Sequence, residues 1–451
     1  MDDRRTLADL AGALGVPAPE GAGAVALSGV STDTRALAPG QVFFALSGEN
    51  FDGNRFVPAA FAAGAAAAVC SVPSEGGPCL TVASPLAALQ QYASWHRGRA
   101  RARVFALTGS CGKTTTKELI AGLLETRLRV TRTRGNLNND IGCPLSLLEI
   151  GPDTDFAVIE MGANHPGEIA QLCRIARPEE AAVTLVAPAH LEGFGTIENV
   201  ARAKAEIMEE LPPDGVFYVN ADDPHCTAMG DRHRGPKVVY GRRGDVRLLS
   251  AAFDASGELV LEVDPVGRLV LPLRVRAYAT NVLLAVAVAL RHGVTDIETP
   301  LRAACARLGR FQELQMGPLT VLSDVYNANP ASMAAALEAL RDHPGGGARI
   351  AVLGEMRELG KASAALHQEL GAAAAARGAD RVLALGEHAA DIVDGARAAG
   401  IPLAETFADH AAAAAAVFGA AAPGDVVLVK GSRGIRMELF TEALKRLYGV
   451  E

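Results

Sequence analysis

Residues 108–116 read Thr-Gly-Ser-Cys-Gly-Lys-Thr-Thr-Thr and follow directly on the apolar run Val104-Phe105-Ala106-Leu107. A buried strand that enters a glycine turn and then a helix (Lys117-Glu118-Leu119-Ile120-Ala121) brings several charges to one point. Gly109 and Gly112 let the backbone turn tightly, so that its N–H groups converge. The helix N-terminus adds partial positive charge there. Lys113 adds a full charge, and Thr114 a hydroxyl suited to Mg²⁺. Leu107 stands where the longer form of this pattern has its first glycine, so the loop is the shorter Thr-Gly-x-x-Gly-Lys-Thr form. Thr108, Gly109, Ser110, Cys111, Gly112, Lys113, Thr114 and Thr115 are expected to cradle the phosphates of a nucleoside triphosphate.

Other residues could serve the same chemistry. Glu160 closes the apolar run Phe156–Ile159, and His190 follows Ala182–Val186. Both fall at carboxyl ends of strands, where open parallel sheets bind ligands. A carboxylate and a neutral imidazole there can hold a divalent cation. Lys204 lies on a helical stretch and could react as a free amine if its pKa were depressed. The polar loop 136–142 offers the amides of Asn136, Asn138 and Asn139 to phosphate or sugar oxygens. Arg310 and Asp324 flank a boundary between units and could clamp a ligand from two sides. The basic turn Lys430-Gly431-Ser432-Arg433 follows a strand and could hold an anion. Each has a plainer reading on residue type alone: a surface carboxylate, a loop histidine, a solvated helix face, an Asn-rich turn, an ordinary ion pair, a solvated basic turn.

The elements that must position these groups read as α/β throughout. The chain has 451 residues, 49% of them hydrophobic and 21% charged, enough for a sizeable core and for about three domains. Its formal charge of −8, without a basic block, argues against nucleic acid as a partner. Seven scattered cysteines with no Cys-x-x-Cys pair read as reduced thiols of a cytoplasmic protein. Met1-Asp2-Asp3-Arg4-Arg5 lacks the apolar stretch of a signal peptide. Val282–Leu290 is apolar but far short of the ~20 residues that span a bilayer. In the first hundred residues, Gln41–Leu46, Ala67–Val69 and Leu80–Val82 are strand-like, Pro58–Ala68 is Ala-rich and helical, and Arg97–Arg101 reads as a charged linker. From 101 to 313, strands at 104–107, 156–159, 182–186 and 216–219 alternate with helices, which predicts a mainly parallel sheet. Leu248–Val275 breaks that rhythm and predicts an antiparallel excursion. From 314 to 451, strands at 320–322, 350–353, 382–385 and 426–429 alternate with helices such as 332–341 and 362–376, a doubly wound pattern. The Ala-rich tracts are read as helix faces, with disorder the alternative.

Taken in order, these pieces resemble the Mur ligases, the ATP-dependent amide-forming enzymes of peptidoglycan synthesis. Ser31-Thr32-Asp33-Thr34-Arg35 and Phe43-Phe44-Ala45-Leu46-Ser47-Gly48-Glu49 look like the N-terminal substrate domain of that family. The loop 136–142, Glu160-Met161-Gly162-Ala163-Asn164-His165 and Ala189-His190-Leu191-Glu192-Gly193-Phe194-Gly195 look like its central domain. Tyr326-Asn327-Ala328-Asn329-Pro330, Gly354-Glu355-Met356-Arg357-Glu358-Leu359-Gly360 and Lys430-Gly431-Ser432-Arg433 look like its C-terminal domain. The resemblance implies three domains: 1–100 binding a UDP-sugar, a P-loop ATPase-like 101–313, and a Rossmann-like 314–451 taking the incoming dipeptide. For partners the resemblance implies UDP-MurNAc-tripeptide, D-alanyl-D-alanine and ATP, acting with a cytoplasmic monomer. It also implies two Mg²⁺ sites, one on Thr114 and Glu160, the other on His190 and a carbamate formed from Lys204 and CO₂. Lys113 would hold ATP phosphates, and Asn281, Arg310 and Asp324 would complete the nucleotide site. Ser31 and Thr32 would lie near the uridine nucleotide, with Asn136, Asn138, Asn139, Asn327, Asn329 and Arg433 as further substrate contacts. The family's His-Asn pair before the helix at Asn281, which the resemblance ties to adenine binding, aligns with Ala277 and Tyr278 and is missing. Cys111 replaces a frequent Asn in the loop. A related amide ligase of the folylpolyglutamate synthase kind and a non-catalytic nucleotide-binding homologue are the alternatives.

Overall fold

Apolar runs of four to six residues, too short for helices and buried on both faces, organise this chain into parallel strands. The computed structural model describes residues 5–48 and 51–450; the readings that rest on Met1–Arg4 and Glu49 lie outside them. Beside two short two-stranded ladders, three larger sheets carry the fold, the first a four-stranded parallel sheet in the order Gly29–Ser31, Gln41–Phe44, Ala67–Cys70, Cys79–Thr81. The expected helix Pro58–Ala68 is shorter, Val57–Ala62, because Ala67 and Ala68 are buried in the third strand.

A nine-stranded sheet follows. Its order is Val130–Arg132, Phe156–Glu160, Arg103–Thr108, Glu180–Val183, Val216–Asn220, Lys237–Gly241, Val246–Phe253, Leu259–Asp264, Gly267–Leu271. Pairing is parallel as far as Val246–Phe253 and antiparallel beyond, where Leu259, Leu261 and Val263 alternate inward with partly exposed neighbours. The chain lays Phe156–Glu160 on one side of Arg103–Thr108 and then crosses to lay Glu180–Val183 on the other. That reversal opens a crevice at the carboxyl end of Arg103–Thr108. The apolar stretch near residue 282 is part of the helix Tyr278–Arg291, whose Val282–Ala289 are all buried in the core beside the phosphate-loop helix Lys113–Leu124. Among the described residues no helix is long and apolar enough to cross a membrane.

The third sheet has six strands, in the order Gln312–Met316, Leu319–Asp324, Val426–Lys430, Arg349–Gly354, Arg381–Leu385, Leu403–Thr406. All pairs but the first are parallel. The expected division at 313/314 falls inside the strand Gln312–Met316. Arg97–Arg101 is not a free linker either. Arg97 ends the helix Pro85–Arg97, buried, its guanidinium donating to the carbonyls of Ala176 (2.8 Å) and Arg177 (3.2 Å) and paired with Glu179 (2.9 Å).

Opposite the crevice, Glu180 is fully buried at the amino end of its strand. It accepts from Tyr218 Oη (2.7 Å) and meets His292 Nε2 (3.0 Å) and Arg103 Nη1 (3.2 Å). Burial would raise its pKa, but His292, Tyr218 and Arg103 together hold it below the usual glutamate range. A folded value below the unfolded one contributes stability above the unfolded value, and that stability is lost as pH falls through the folded one. Glu180→Gln is expected to cost roughly 3 kcal/mol at pH 7, because the buried Tyr218 hydroxyl and the largely buried His292 lose the carboxylate they face. The gap should close as the solution is acidified below pH 4, in guanidinium unfolding followed at both pH values.

Candidate active site

Two glycines shape the phosphate loop. Gly109 and Gly112 have φ of 148° and 81°. A Cβ on Gly109 would lie 1.8 Å from Thr184 Oγ1, and one on Gly112 2.4 Å from Asn281 Nδ2, so neither position accepts a side chain. The helix Lys113–Leu124 starts without a side-chain cap, which leaves its first N–H groups for an anion. Lys113 Nζ donates to Gly109 O (2.7 Å) and so folds back over the loop.

A cleft of about 650 Å³ opens from this loop toward the third sheet. Its wall gathers Ser110, Cys111, Gly112, Lys113, Thr114, Thr115, Asn136, Asn138, Asn139, Glu160, His190, Lys204 and Asn281 with Arg310, Asp324, Asn327 and Asn329. Thr108 and Gly109 are not on the wall but behind it, and Thr108 is fully buried with no partner for Oγ1. Ser31 and Thr32 belong to the N-terminal sheet and its exit, where Ser31 Oγ donates to Asp33 O (2.9 Å). Arg433 also lies off the wall, 66% exposed and paired with Glu438 (3.3 Å).

Glu160 is 1% exposed. Oε1 accepts from Asn138 Nδ2 (2.7 Å), while Oε2 has no hydrogen-bond partner and lies 3.8 Å from Lys117 Nζ. A buried, half-satisfied carboxylate on a cleft wall is a site for a ligand. Lys204 is 2% exposed, and no hydrogen bond or ion pair holds it among the described residues. Burial first, and the charge of Lys113 second, pull its pKa from 10.5 to about 7. The plainer reading of Lys204 as part of a solvated helix face is therefore overturned. His190 (φ 53°) hydrogen-bonds Glu358 of the third unit through Nδ1. Among the described residues no three His, Cys, Asp or Glu side chains converge as a metal cage. The oxygen donors present are the Thr114 hydroxyl and the free oxygen of Glu160, which fit Mg²⁺ held jointly with phosphate oxygens, and His190 offers a separate imidazole donor on the same wall.

Some expected contacts turn out to build the wall. Asn281 Nδ2 donates to Thr116 Oγ1 (2.7 Å) and steadies the loop. Asn139 Oδ1 accepts from Gly142 N (2.8 Å), as an ordinary turn residue does. Asn329 caps the helix Pro330–Asp342 and donates across the interface to Ser110 O (3.1 Å). Lys430 is not an open anion site. It is buried, bonded to Asp324 and donates to Asn327 O (2.8 Å). Arg310 stacks on Tyr326, 3.1 Å from the ring centre. Tyr278 lines the same wall, and burial with the Asp324 carboxylate pushes its phenol upward.

Family models match three segments: the Mur ligase family catalytic domain at 26–92, the Mur ligase middle domain at 107–289, and the Mur ligase glutamate ligase domain at 309–433. The UDP-N-acetylmuramoyl-tripeptide–D-alanyl-D-alanine ligase of Escherichia coli K12 is 40% identical over 435 residues, 93% of this chain and 94% of that one. The chain belongs to the Mur ligase family. Among solved structures, this Mur ligase is similar to MurF from Acinetobacter baumannii, with a TM-score of 0.90 and 32% identity over 98% of this chain and 99% of that one. It is also similar to the MurF ligase of Thermotoga maritima in complex with ADP, with a TM-score of 0.83 and 30% identity over 93% and 98% of the two chains. ATP use by this Mur ligase is in keeping with that complex.

Residue-by-residue reading of the sequence missed Tyr278, Tyr326 and Glu358 as parts of the site. Tyr326 and Glu358 sit inside Tyr326–Pro330 and Gly354–Gly360, segments already marked as motifs. Tyr278 carried only the signal of an absent pair.

Proposed function

We propose that this Mur ligase joins D-alanyl-D-alanine to UDP-N-acetylmuramoyl-tripeptide at the expense of ATP, as a cytoplasmic monomer supplying peptidoglycan precursors. The observation that carries this reading is one cleft where the phosphate loop faces the third unit, in a chain similar end to end to a ligase of that name. The tripeptide carboxylate attacks the γ-phosphorus of ATP; the β–γ bridging bond breaks and ADP leaves. The dipeptide amine then attacks the acyl phosphate carbonyl, loses a proton, and phosphate departs. Lys113 and the free N–H groups of its helix offset the charge of bringing an anion onto a triphosphate. Thr114 and Glu160 are the residues that would hold one Mg²⁺, and His190 with a carbamate on Lys204 a second. Bound there, Mg²⁺ supplies charge neutralisation. The N-terminal domain, with Ser31 and Thr32, would take the uridine nucleotide. Asn327, Asn329 and Arg433 would face the dipeptide side, whose closure excludes water from the acyl phosphate.

The test is phosphate release by the purified chain with ATP and Mg²⁺, offered UDP-MurNAc-tripeptide ending in lysine or in diaminopimelate. Release is expected only when D-alanyl-D-alanine is also present, with a UDP-MurNAc-pentapeptide as product. Response to folate or another acceptor instead would favour the related amide ligase. No turnover with any acceptor would favour a non-catalytic homologue.

A further inference from the structure

Two non-glycine residues with left-handed backbones face each other between the central and third units. His190 has φ 53° and Glu358 φ 64°. Such conformations are uncommon and persist where surrounding contacts hold them. Here the two side chains hydrogen-bond to each other, His190 Nδ1 to Glu358 Oε2, across 168 positions of sequence. The backbones are joined as well, Glu192 N donating to Glu358 O (3.0 Å).

The loop that presents Glu358 is fixed from behind. Arg357 N donates to Ser432 Oγ (2.9 Å), and Met356 N to His367 Nε2 (2.8 Å). The buried Glu355 carboxylate accepts from Glu387 N (2.6 Å) and Arg357 Nε (3.0 Å). Glu358 is therefore held in place by the third unit and carried with it as a rigid part.

An ionised carboxylate only accepts, so the proton in this bond sits on Nδ1 of His190. In the neutral ring the lone pair is then on Nε2, the form that ligates a metal. We propose that Glu358 is a positioning residue: seated by the third unit, it fixes the His190 tautomer and so makes this ligand competent only while the two units are together. The proposal rests on the reading of His190 as a cation ligand. It ties metal binding to the same closure that brings the amine substrate.

The test uses ¹⁵N-histidine-labelled full-length protein with ADP, Mn²⁺ as the binding probe, and the variants Glu358→Ala, Glu358→Gln, Glu358→Asp and His190→Gln. The His190 signals are identified by their loss in His190→Gln and read before metal is added. In the wild type His190 is expected as the Nδ1–H tautomer. In Glu358→Ala, which removes the acceptor that Glu358→Gln would keep in its amide oxygen, it should move toward the Nε2–H form, with Mn²⁺ binding weakened about 10-fold or more. Glu358→Gln and Glu358→Asp should each keep part of both. If His190→Gln weakens Mn²⁺ binding and Glu358→Ala changes neither tautomer nor affinity, the role of Glu358 falls and the ligand role of His190 stands. If His190→Gln leaves Mn²⁺ binding unchanged, His190 is no ligand and the proposal falls with it. Neither outcome depends on amide synthesis, which the phosphate-release assay judges separately.

Discussion

Lys113→Ala should lower the rate of phosphate release by about three orders of magnitude or more while leaving thermal unfolding nearly unchanged. The expectation follows from what the side chain does and does not hold. Its recorded hydrogen bond is to Gly109 O, within its own loop, and the residue is only partly buried. The loop conformation does not depend on it, since the glycine positions and the bonds from Asn281 to Gly112 O and from Thr184 to Cys111 O fix that backbone. Bound triphosphate changes the balance. An anion approaching another anion needs compensating charge where new charge gathers in the transition state, and Lys113 is the cation at the start of that helix. Arginine should not substitute, because a planar fork cannot fold back over Gly109 as an ammonium does. An alanine variant releasing phosphate at the wild-type rate would remove Lys113 from the mechanism.

What could be read beforehand divides along a physical line. The phosphate loop was legible because its backbone permits so little: a methyl group at Gly109 would strike Thr184. The place of Glu160 and His190 on the cleft wall was legible because strand ends in parallel sheets have a fixed relation to the crevice. The antiparallel excursion announced itself where Leu248–Val275 breaks the rhythm of apolar strands and helices. Arg97 was misread because a charge suggests solvent, whereas a guanidinium can be buried when carbonyls and a carboxylate satisfy it. Leu403–Thr406 went unseen as a strand because an edge position leaves only Ala404 buried. The hardest to see were pairings between distant segments: Asn281 with Thr116, Asn329 with Ser110, His190 with Glu358. Nothing local distinguishes a glutamate that orients a histidine from one that faces water.

Lys204→Met should abolish turnover and at the same time make the unloaded protein more stable. Lys204 lies in the wall with no hydrogen bond or ion pair among the described residues, and burial together with Lys113 draws its pKa down to about 7. The folded value lies below the unfolded one, so the ammonium is a cost to folding. That cost is absent above about pH 10.5, grows as pH falls toward 7, and is complete below it. Methionine fills the same space without the charge, and a gain of roughly 1–3 kcal/mol is expected near pH 6–7, shrinking toward pH 10. An amine with its pKa drawn down to about 7 is partly neutral at physiological pH and can attack CO₂, releasing a proton and leaving a carbamate anion where an ammonium would have been. Stripping CO₂ from the buffer should therefore slow the wild type, bicarbonate should restore it, and the methionine variant should respond to neither. Wild-type turnover that ignores CO₂ would refute the carbamate. A methionine variant less stable than the wild type at pH 6–7 would refute the account of the buried amine.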